Sequence, residues 1–499
     1  MKLLLIYPDF NASGDNPSGK GFYSDGIAAL SAYIKQEGHQ VNLFHLVHSV
    51  EEDEFKSQIR NFSPDLIGIS TRTSIYNYTK QFSQWSKAAL PYTPLIIGGV
   101  HATLVPDEVI SEPEVDAVSI GDGEFNLKEY IDWVENGCKP DLRIAGIYRK
   151  ENGEILKGEA RPCITPLSQL PIPDFEIFDY KSLFSPSIKT IPVMLSRGCP
   201  FMCTYCCNHQ IKQVYPNINE YTRFFTPEKS IEYIKAILEK YPDMKYVDFR
   251  DNILPFNIDW FIDFSERYKK EINLPFACRY RANLVKEEVI IALKNAGCYL
   301  VHFGVETGND HMSNVILKRA INREQLINAF DLCHKHGLST LAYNMVGLPD
   351  EDLVKALDTI KLNSILKPER MLMAIFYPYP KTSLYEYSIQ KGYIPDNLSY
   401  ADEVRLSQPQ FPDEEVDFIS TYSKLLIRIY SIIKNFPDGL ARFLEKILDK
   451  IVITKKKPHK ILNKIAMSIK ANINRLKSFI RTNFPRLYLK LRDFLVIKK

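Results

Sequence analysis

No run of about 18 or more apolar residues occurs anywhere in the 499-residue sequence, so no membrane-spanning helix is expected. The opening segment MKLLLIYPDF turns polar at Pro8 and Asp9, too early for a secretory signal, and lacks a small-residue cleavage site. It reads as a first buried strand, which points to a cytoplasmic protein. Cysteine is scarce and odd in number, nine residues, which argues against a disulfide scaffold. Cys138, Cys163, Cys278, Cys298 and Cys333 stand alone and read as small buried residues, whereas the rest crowd into 199–207. A large excess of charge is missing too, with 63 Lys+Arg against 60 Asp+Glu. That balance conceals an asymmetry. Residues 441–499 hold 17 Lys+Arg and 3 Asp+Glu, leaving 46 against 57 in the remainder.

What is present is alternation. KLLLIYP, HQVNLFHL, DLIGIST, PLIIGG and VDAVSIGDG read as strands, with helices at 26–37, 51–62, 77–89 and 125–135 between them. This predicts, over 1–135, a parallel sheet covered on both faces, with ligands at the carboxyl ends of its strands. Residues 136–189 are broken by Pro140, Pro162, Pro166, Pro171 and Pro173 and read as a linker with a small hairpin at 146–156. Over 190–391 the alternation resumes with TIPVMLS, KYVDFRD, FACRYRA, LVHFGVE, TLAYNMV and RMLMAIF. Thr226 and Pro227 open the first helix as N-cap and first helical residue. Six βα units predict a partial barrel with its site at the strand C-termini. Residues 392–440 read as a helical appendage and 441–499 as a basic amphipathic helical tail. The expected fold class is therefore α/β: an N-terminal doubly wound, Rossmann-like parallel-sheet domain, a (β/α)6 partial TIM-type barrel, and a helical C-terminal extension.

The segment SRGCPFMCTYCCNH, residues 196–209, follows the first barrel strand and sets Cys199, Cys203 and Cys206 in a Cys-x3-Cys-x2-Cys spacing. Thiolates are the usual ligands of iron–sulfur clusters, and a cluster of four irons takes four ligands. Three protein thiolates leave one iron open to an exogenous chelate. Gly198 and Pro200 suit a loop wrapped closely round a cube. The alternative is zinc, completed by Cys207 and His209, since structural zinc takes four such ligands. The spacing at a strand-to-loop junction favours the cluster, with Cys207 pointing elsewhere.

This loop resembles the signature of the radical S-adenosylmethionine superfamily, Cys-x3-Cys-x-aromatic-Cys, with Tyr205 at the aromatic position beside the adenine. The resemblance implies a 4Fe–4S cluster on the three cysteines, S-adenosylmethionine chelated at the open iron, and a 5′-deoxyadenosyl radical from its reductive cleavage. Further contacts are implied in chain order. Asp251, in YVDFRD, resembles the acid that holds the methionyl amino group, although Asn252 replaces a second acid. Arg281, in RYRAN, resembles the strand-three arginine facing the nucleoside or carboxylate. Glu306, with Thr307 beside it in FGVETG, resembles the strand-four acid near the ribose. Gly347 and Glu351, in NMVGLPDE, resemble the strand-five glycine motif.

Residues 1–135 resemble the cobalamin-binding domain that precedes this barrel in the branch of class B methylases and related cyclases. The matching segments are FYSDGIAALSAYIKQEGHQV, SPDLIGIST, PLIIGGVHATLVPDEV and VDAVSIGDGEF. The resemblance implies cobalamin at the strand ends, near Ser70, Thr71, Gly98, Gly99, His101 and Glu124. One departure is plain: the loop DFNASGDNPSGKGF has no histidine where many such domains offer one to cobalt.

The implied function is cobalamin-dependent radical methylation of an unactivated carbon. A cyclase or ring-rearranging enzyme is the alternative, and a metal-stabilised binding protein is the alternative of another class. The implied partners are a small-molecule substrate, which the tail suggests is hydrophobic, and an electron donor such as flavodoxin or ferredoxin. In the tail, Ile461, Ile465, Ile469, Ile473, Leu476 and Ile480 recur at spacings of three and four among lysines and arginines. That pattern suits a helix lying on an anionic membrane surface, and equally one packed on protein. A nucleic-acid partner is not expected.

Overall fold

The structure, a computed structural model, describes residues 1–11, 14–16, 18–394 and 404–453. The isoleucine pattern at 461–480 lies outside the described residues. Five parallel strands open the chain: β1 (Lys2–Pro8), β2 (Gln40–Leu46), β3 (Leu66–Ser70), β4 (Leu95–Gly98) and β5 (Ala117–Ser119). The hairpin of β6 (Ile147–Glu151) and β7 (Glu154–Lys157) adds to them antiparallel, giving the order β2-β1-β3-β4-β5-β6-β7. The expected hairpin thus completes the edge of this sheet. In β1 side chains alternate: Leu3 and Leu5 bury on one face, Leu4 and Ile6 on the other. Both faces are covered, which is why the strands read as continuous apolar runs. The parallel order reverses between β1 and β3, opening a crevice beyond their carboxyl ends.

The barrel sheet is built from β8 (Thr190–Val193), β11 (Tyr246–Phe249), β12 (Phe276–Tyr280), β13 (Cys298–Glu306), β14 (Ser339–Val346) and β15 (Arg370–Ile375). These pair in parallel in chain order, and β8 and β15 are the edges, so the barrel is open. Between β8 and β11 a short antiparallel ladder joins β9 (Ser196–Arg197) to β10 (Arg223–Phe224). Thr226 caps the helix Pro227–Lys240 by accepting from the Lys229 N–H at 3.2 Å, as its position predicts.

One core runs through both sheets. Leu3 and Leu5 of the first, with Ile27 and Ile131 of the helices that cover it, share a cluster with Ile191, Val193 and Phe249 of the second. Phe175, Phe178, Tyr180 and Leu183 of the proline-broken segment fill the seam. These apolar residues, at irregular spacing in and around the short 3-10 turns Phe175–Ile177 and Tyr180–Ser182, bury like core strand residues. The helix Asp413–Ile433 packs Val416 and Ile419 on the barrel helix Leu353–Leu366. Among the described residues no helix is long and apolar enough to cross a membrane.

Candidate active site at the cysteine loop and the strand-end cavity

The cysteine loop leaves the carboxyl end of β8 and is pinned at several points. Gly198 has φ +86°, and a Cβ there would stand 2.1 Å from the Tyr221 carbonyl oxygen, so the turn requires glycine. Thr204 donates from its hydroxyl to the Ile316 carbonyl at 2.7 Å and from its N–H to the Leu317 carbonyl at 3.1 Å. Its own carbonyl accepts from Leu384 at 3.0 Å. The loop is thereby held to the turn after β13 and to the helix Ser383–Gln390. Cys203 is buried, and Cys199 and Cys206 are half-buried.

The donor set fits a cluster better than zinc. A tetrahedral zinc, with sulfurs at ~2.3 Å, holds them ~3.8 Å apart. Among the described residues no cysteine trio brings its sulfurs within 4.8 Å of one another; the trio of metal-binding side chains that close is His39, Asp132 and Glu135, with nitrogen and oxygen donors. Thiolates that each bind a different iron stand farther apart. His209 is no fourth ligand, because Nδ1 is bonded to the Cys206 carbonyl at 2.7 Å and Nε2 to Ser383 Oγ at 3.0 Å. Cys207 is committed as well. Its hydrogen bond to Cys206 draws the Cys206 thiol down to about 6, and the same bond pushes the Cys207 thiol up.

Around Cys203 the structure gathers Tyr205, Arg281 and Glu306. Arg281 places Nη1 3.6 Å from Cys203 Sγ. Glu306 ends β13 at a bulge with φ +64°; burial raises its carboxyl, and Arg319 and a hydrogen bond from Tyr205 oppose that rise. Arg319 was not visible in the sequence. It lies 13 residues beyond Glu306 and returns to the site only because the turn Met312–Ile316 folds back under the loop.

Other predicted residues fall elsewhere. Asp251 is fully buried and accepts from the Leu195 N–H at 2.9 Å and the Ser196 hydroxyl at 2.5 Å. Its second oxygen has no partner among the described residues, and burial pushes its carboxyl up to about 7. It braces the strand that leads into the cysteines. Asn252 takes the nearer position, donating to the Gly198 carbonyl at 3.0 Å. Thr307 is buried in its own turn, where it accepts from Asn309 at 3.2 Å. Gly347 donates to Glu351 Oε2 at 2.7 Å and faces Val416 of the appendage helix. The Glu351 carboxyl is fully buried and pushed up to about 8 by desolvation.

The second feature is a cavity of about 330 Å³ at the carboxyl ends of the N-terminal strands. Gly68, Ser70, Gly98, Gly99, Ser119 and Gly121 line it, with Asp25, Glu124, Met194 and Arg197. At Gly99 a Cβ would come 2.5 Å from the Thr71 carbonyl oxygen, so the wall needs glycine there. Ser70, Gly98, Gly99 and Glu124 sit at the cavity as expected. Thr71 and His101 do not line it: Thr71 bonds Thr79 at 2.8 Å, and His101 bonds Thr73 at 3.1 Å and packs on Tyr76. Burial lowers the His101 imidazole to about 4. No histidine lines the cavity among the described residues. Glu124 is tied down by Arg197, which also reaches Asp122 at 3.1 Å; Asp122 in turn takes Arg223 at 2.9 Å. The cavity wall and the cysteine loop therefore share one segment, with Arg197 two residues ahead of Cys199.

Both halves have counterparts. The radical SAM superfamily model matches residues 193–362 and the B12 binding domain model residues 21–131. An uncharacterized methyltransferase of Pyrococcus horikoshii is 30% identical over 393 residues, 78% of this chain and 83% of its own length. The chain belongs to the cobalamin-binding branch of the radical SAM superfamily. A further relative, the anaerobic magnesium-protoporphyrin IX monomethyl ester cyclase of Rubrivivax gelatinosus, is 24% identical over 98% of this chain and 84% of its own. Among solved structures, the cobalamin-dependent radical enzyme OxsB with aqua-cobalamin bound superposes at a TM-score of 0.68 with 15% identity, covering 96% of this chain and 75% of that one. The methyltransferase TsrM from Kitasatospora setae, with cobalamin and a cluster bound, gives 0.63 at 14% identity, covering 79% and 75%. This radical SAM enzyme is methyltransferase-like, and its cofactors are a 4Fe–4S cluster, S-adenosylmethionine and cobalamin.

Proposed function

We propose that Cys199, Cys203 and Cys206 hold the cluster, that the glycine-lined cavity takes the nucleotide end of cobalamin, and that the enzyme methylates an unactivated carbon of a hydrophobic small molecule. The observation that carries this reading is the shared segment: Met194, Ser196 and Arg197 line the cavity, and Cys199 follows two residues later. When bound there, the cluster with S-adenosylmethionine supplies radical hydrogen abstraction, and cobalamin carries the methyl group. The chain's own residues do the positioning. Tyr205 and Glu306 make one wall beside Cys203, Asp251 fixes the strand before the loop, and Gly98 and Gly99 keep the cavity open.

Anaerobic reconstitution tests the assignment. Four irons per chain, 5′-deoxyadenosine formation and retained corrin are the expected result, with iron lost on Cys199→Ala, Cys203→Ala or Cys206→Ala and kept on Cys207→Ala. One zinc per chain without iron would overturn it. A cyclase is the second reading, favoured by the Rubrivivax relative that covers almost the whole chain. Methyl transfer is accompanied by S-adenosylhomocysteine, and cyclisation is not. An electron donor such as flavodoxin or ferredoxin completes the scheme. Peripheral contact with anionic membrane is supported by Leu440, Phe443, Ile447 and Ile451, exposed along one side of the helix Asp438–Ile453 that opens the basic tail. Equal sedimentation with anionic and neutral vesicles would remove that contact.

A further inference from the structure

Two guanidiniums close on one cysteine of the three. Arg281 is 9% exposed and fully committed. Its Nε donates to Asn283 Oδ1 at 2.8 Å, its Nη2 to the Arg319 carbonyl, and its Nη1 points at Cys203 Sγ from 3.6 Å. The guanidinium carbon lies 3.7 Å from the centre of the Phe201 ring. Each of its three nitrogens is thus tied to a neighbour, which fixes the guanidinium against Cys203. Arg319, 3% exposed, spends Nη1 on the Val305 carbonyl at 2.6 Å and Nη2 on the Gly304 carbonyl at 2.5 Å. Its Nε is buried without a hydrogen-bond partner among the described residues, and Cys203 is among the groups whose charge acts on it. The Arg319 carbonyl takes Arg281 Nη2, so the two arginines form one unit at Cys203.

We propose that Arg281 and Arg319 are positioning residues that hold the Cys203 corner of the cluster and raise its reduction potential. The inference rests on the reading that Cys203 is a cluster ligand. A thiolate on iron accepts charge-assisted N–H bonds. Such bonds and nearby positive charge favour the form carrying the extra electron. The cluster is thereby easier to reduce, and Arg281 acts through Cys203.

The test is a redox titration of the reconstituted full chain without S-adenosylmethionine, followed by electron paramagnetic resonance. For Arg281→Met we expect wild-type iron and sulfide content, and a ratio of reduced to oxidised cluster about tenfold lower at fixed potential, about 59 mV for one electron. Arg281→Lys, which keeps the charge and loses the fork, falls between. Should Arg281→Met fail to load, Arg281→Lys and Arg319→Lys carry the test, each expected below wild type. Loaded variants that titrate at the wild-type potential overturn the proposal. A wild-type chain that takes up no iron overturns the cluster reading beneath it, a separate and recognisable failure.

Discussion

Replacing Arg197 by Met strikes the joint between the two cofactor sites. The Arg197 guanidinium bonds both oxygens of Glu124, one at 3.2 Å and one closer, and Asp122 at 3.1 Å. The Glu124 side chain is 3% exposed, and the substitution leaves it without a cation, while Asp122 keeps Arg223 at 2.9 Å. Breaking a buried pair by removing one partner costs about 3–5 kcal/mol. Arg197 is itself 23% exposed, so water reaches the pair from one side and the lower end of that range, about 3 kcal/mol, is expected. Glu124→Gln added to Arg197→Met removes the stranded charge and should restore about 1–2 kcal/mol, within the usual coupling of contacting residues. Urea unfolding of the cofactor-free chain is the assay, read as a lower midpoint at unchanged slope. Arg197→Met within about 0.5 kcal/mol of wild type, or a double variant no more stable than the single, would refute the reasoning. In that event the Glu124 carboxylate would be free for cobalamin, as the sequence alone led one to expect.

Three further substitutions probe the glycine wall and the buried carboxyl. Gly99→Ala places a Cβ 2.5 Å from the Thr71 carbonyl oxygen at φ +100°, so a loss of about 1–3 kcal/mol and weak retention of hydroxocobalamin are expected. Gly98→Ala meets only Ser119 Cβ at 3.7 Å, and should weaken corrin retention in a spectrophotometric titration while leaving the melting temperature unchanged. Asp251 has a folded-state value of about 7, above its ordinary range, so the folded chain binds more protons than the unfolded chain between about pH 4 and 7. Its contribution to stability therefore falls as pH rises through that window. Asp251→Asn removes the loss, and its melting temperature relative to wild type should climb from pH 5 to pH 8; a constant or falling difference counts against the buried, unpaired oxygen as the cause.

Much of the architecture was legible because it is local. Apolar period, strand length and the Thr226-Pro227 cap lie within a few residues of the elements they specify, and all six barrel strands form where they were read. The cysteine spacing and Gly198 are likewise contained in one loop. The functional residues chosen one by one fared less evenly. Ser70, Gly98 and Gly99 reach the cavity because a strand end fixes where its backbone goes. Thr71 turns away because extended backbone sends neighbouring side chains to opposite sides, and His101, in the helix Val100–Leu104, packs on Tyr76 and bonds Thr73.

The sequence by itself determined the order of the elements, the sheet class and the spacing of the cysteine loop, all of which follow from short-range pattern. Only the tertiary structure decided who satisfies each buried charge. Arg319 arrives at Cys203 from a turn, Glu124 is claimed by Arg197 73 residues away, and Asp251 braces the start of β9 from 55 residues beyond Ser196. A buried ion must find its partner wherever the folded chain supplies one. That partner is set by packing between elements, which no local period records.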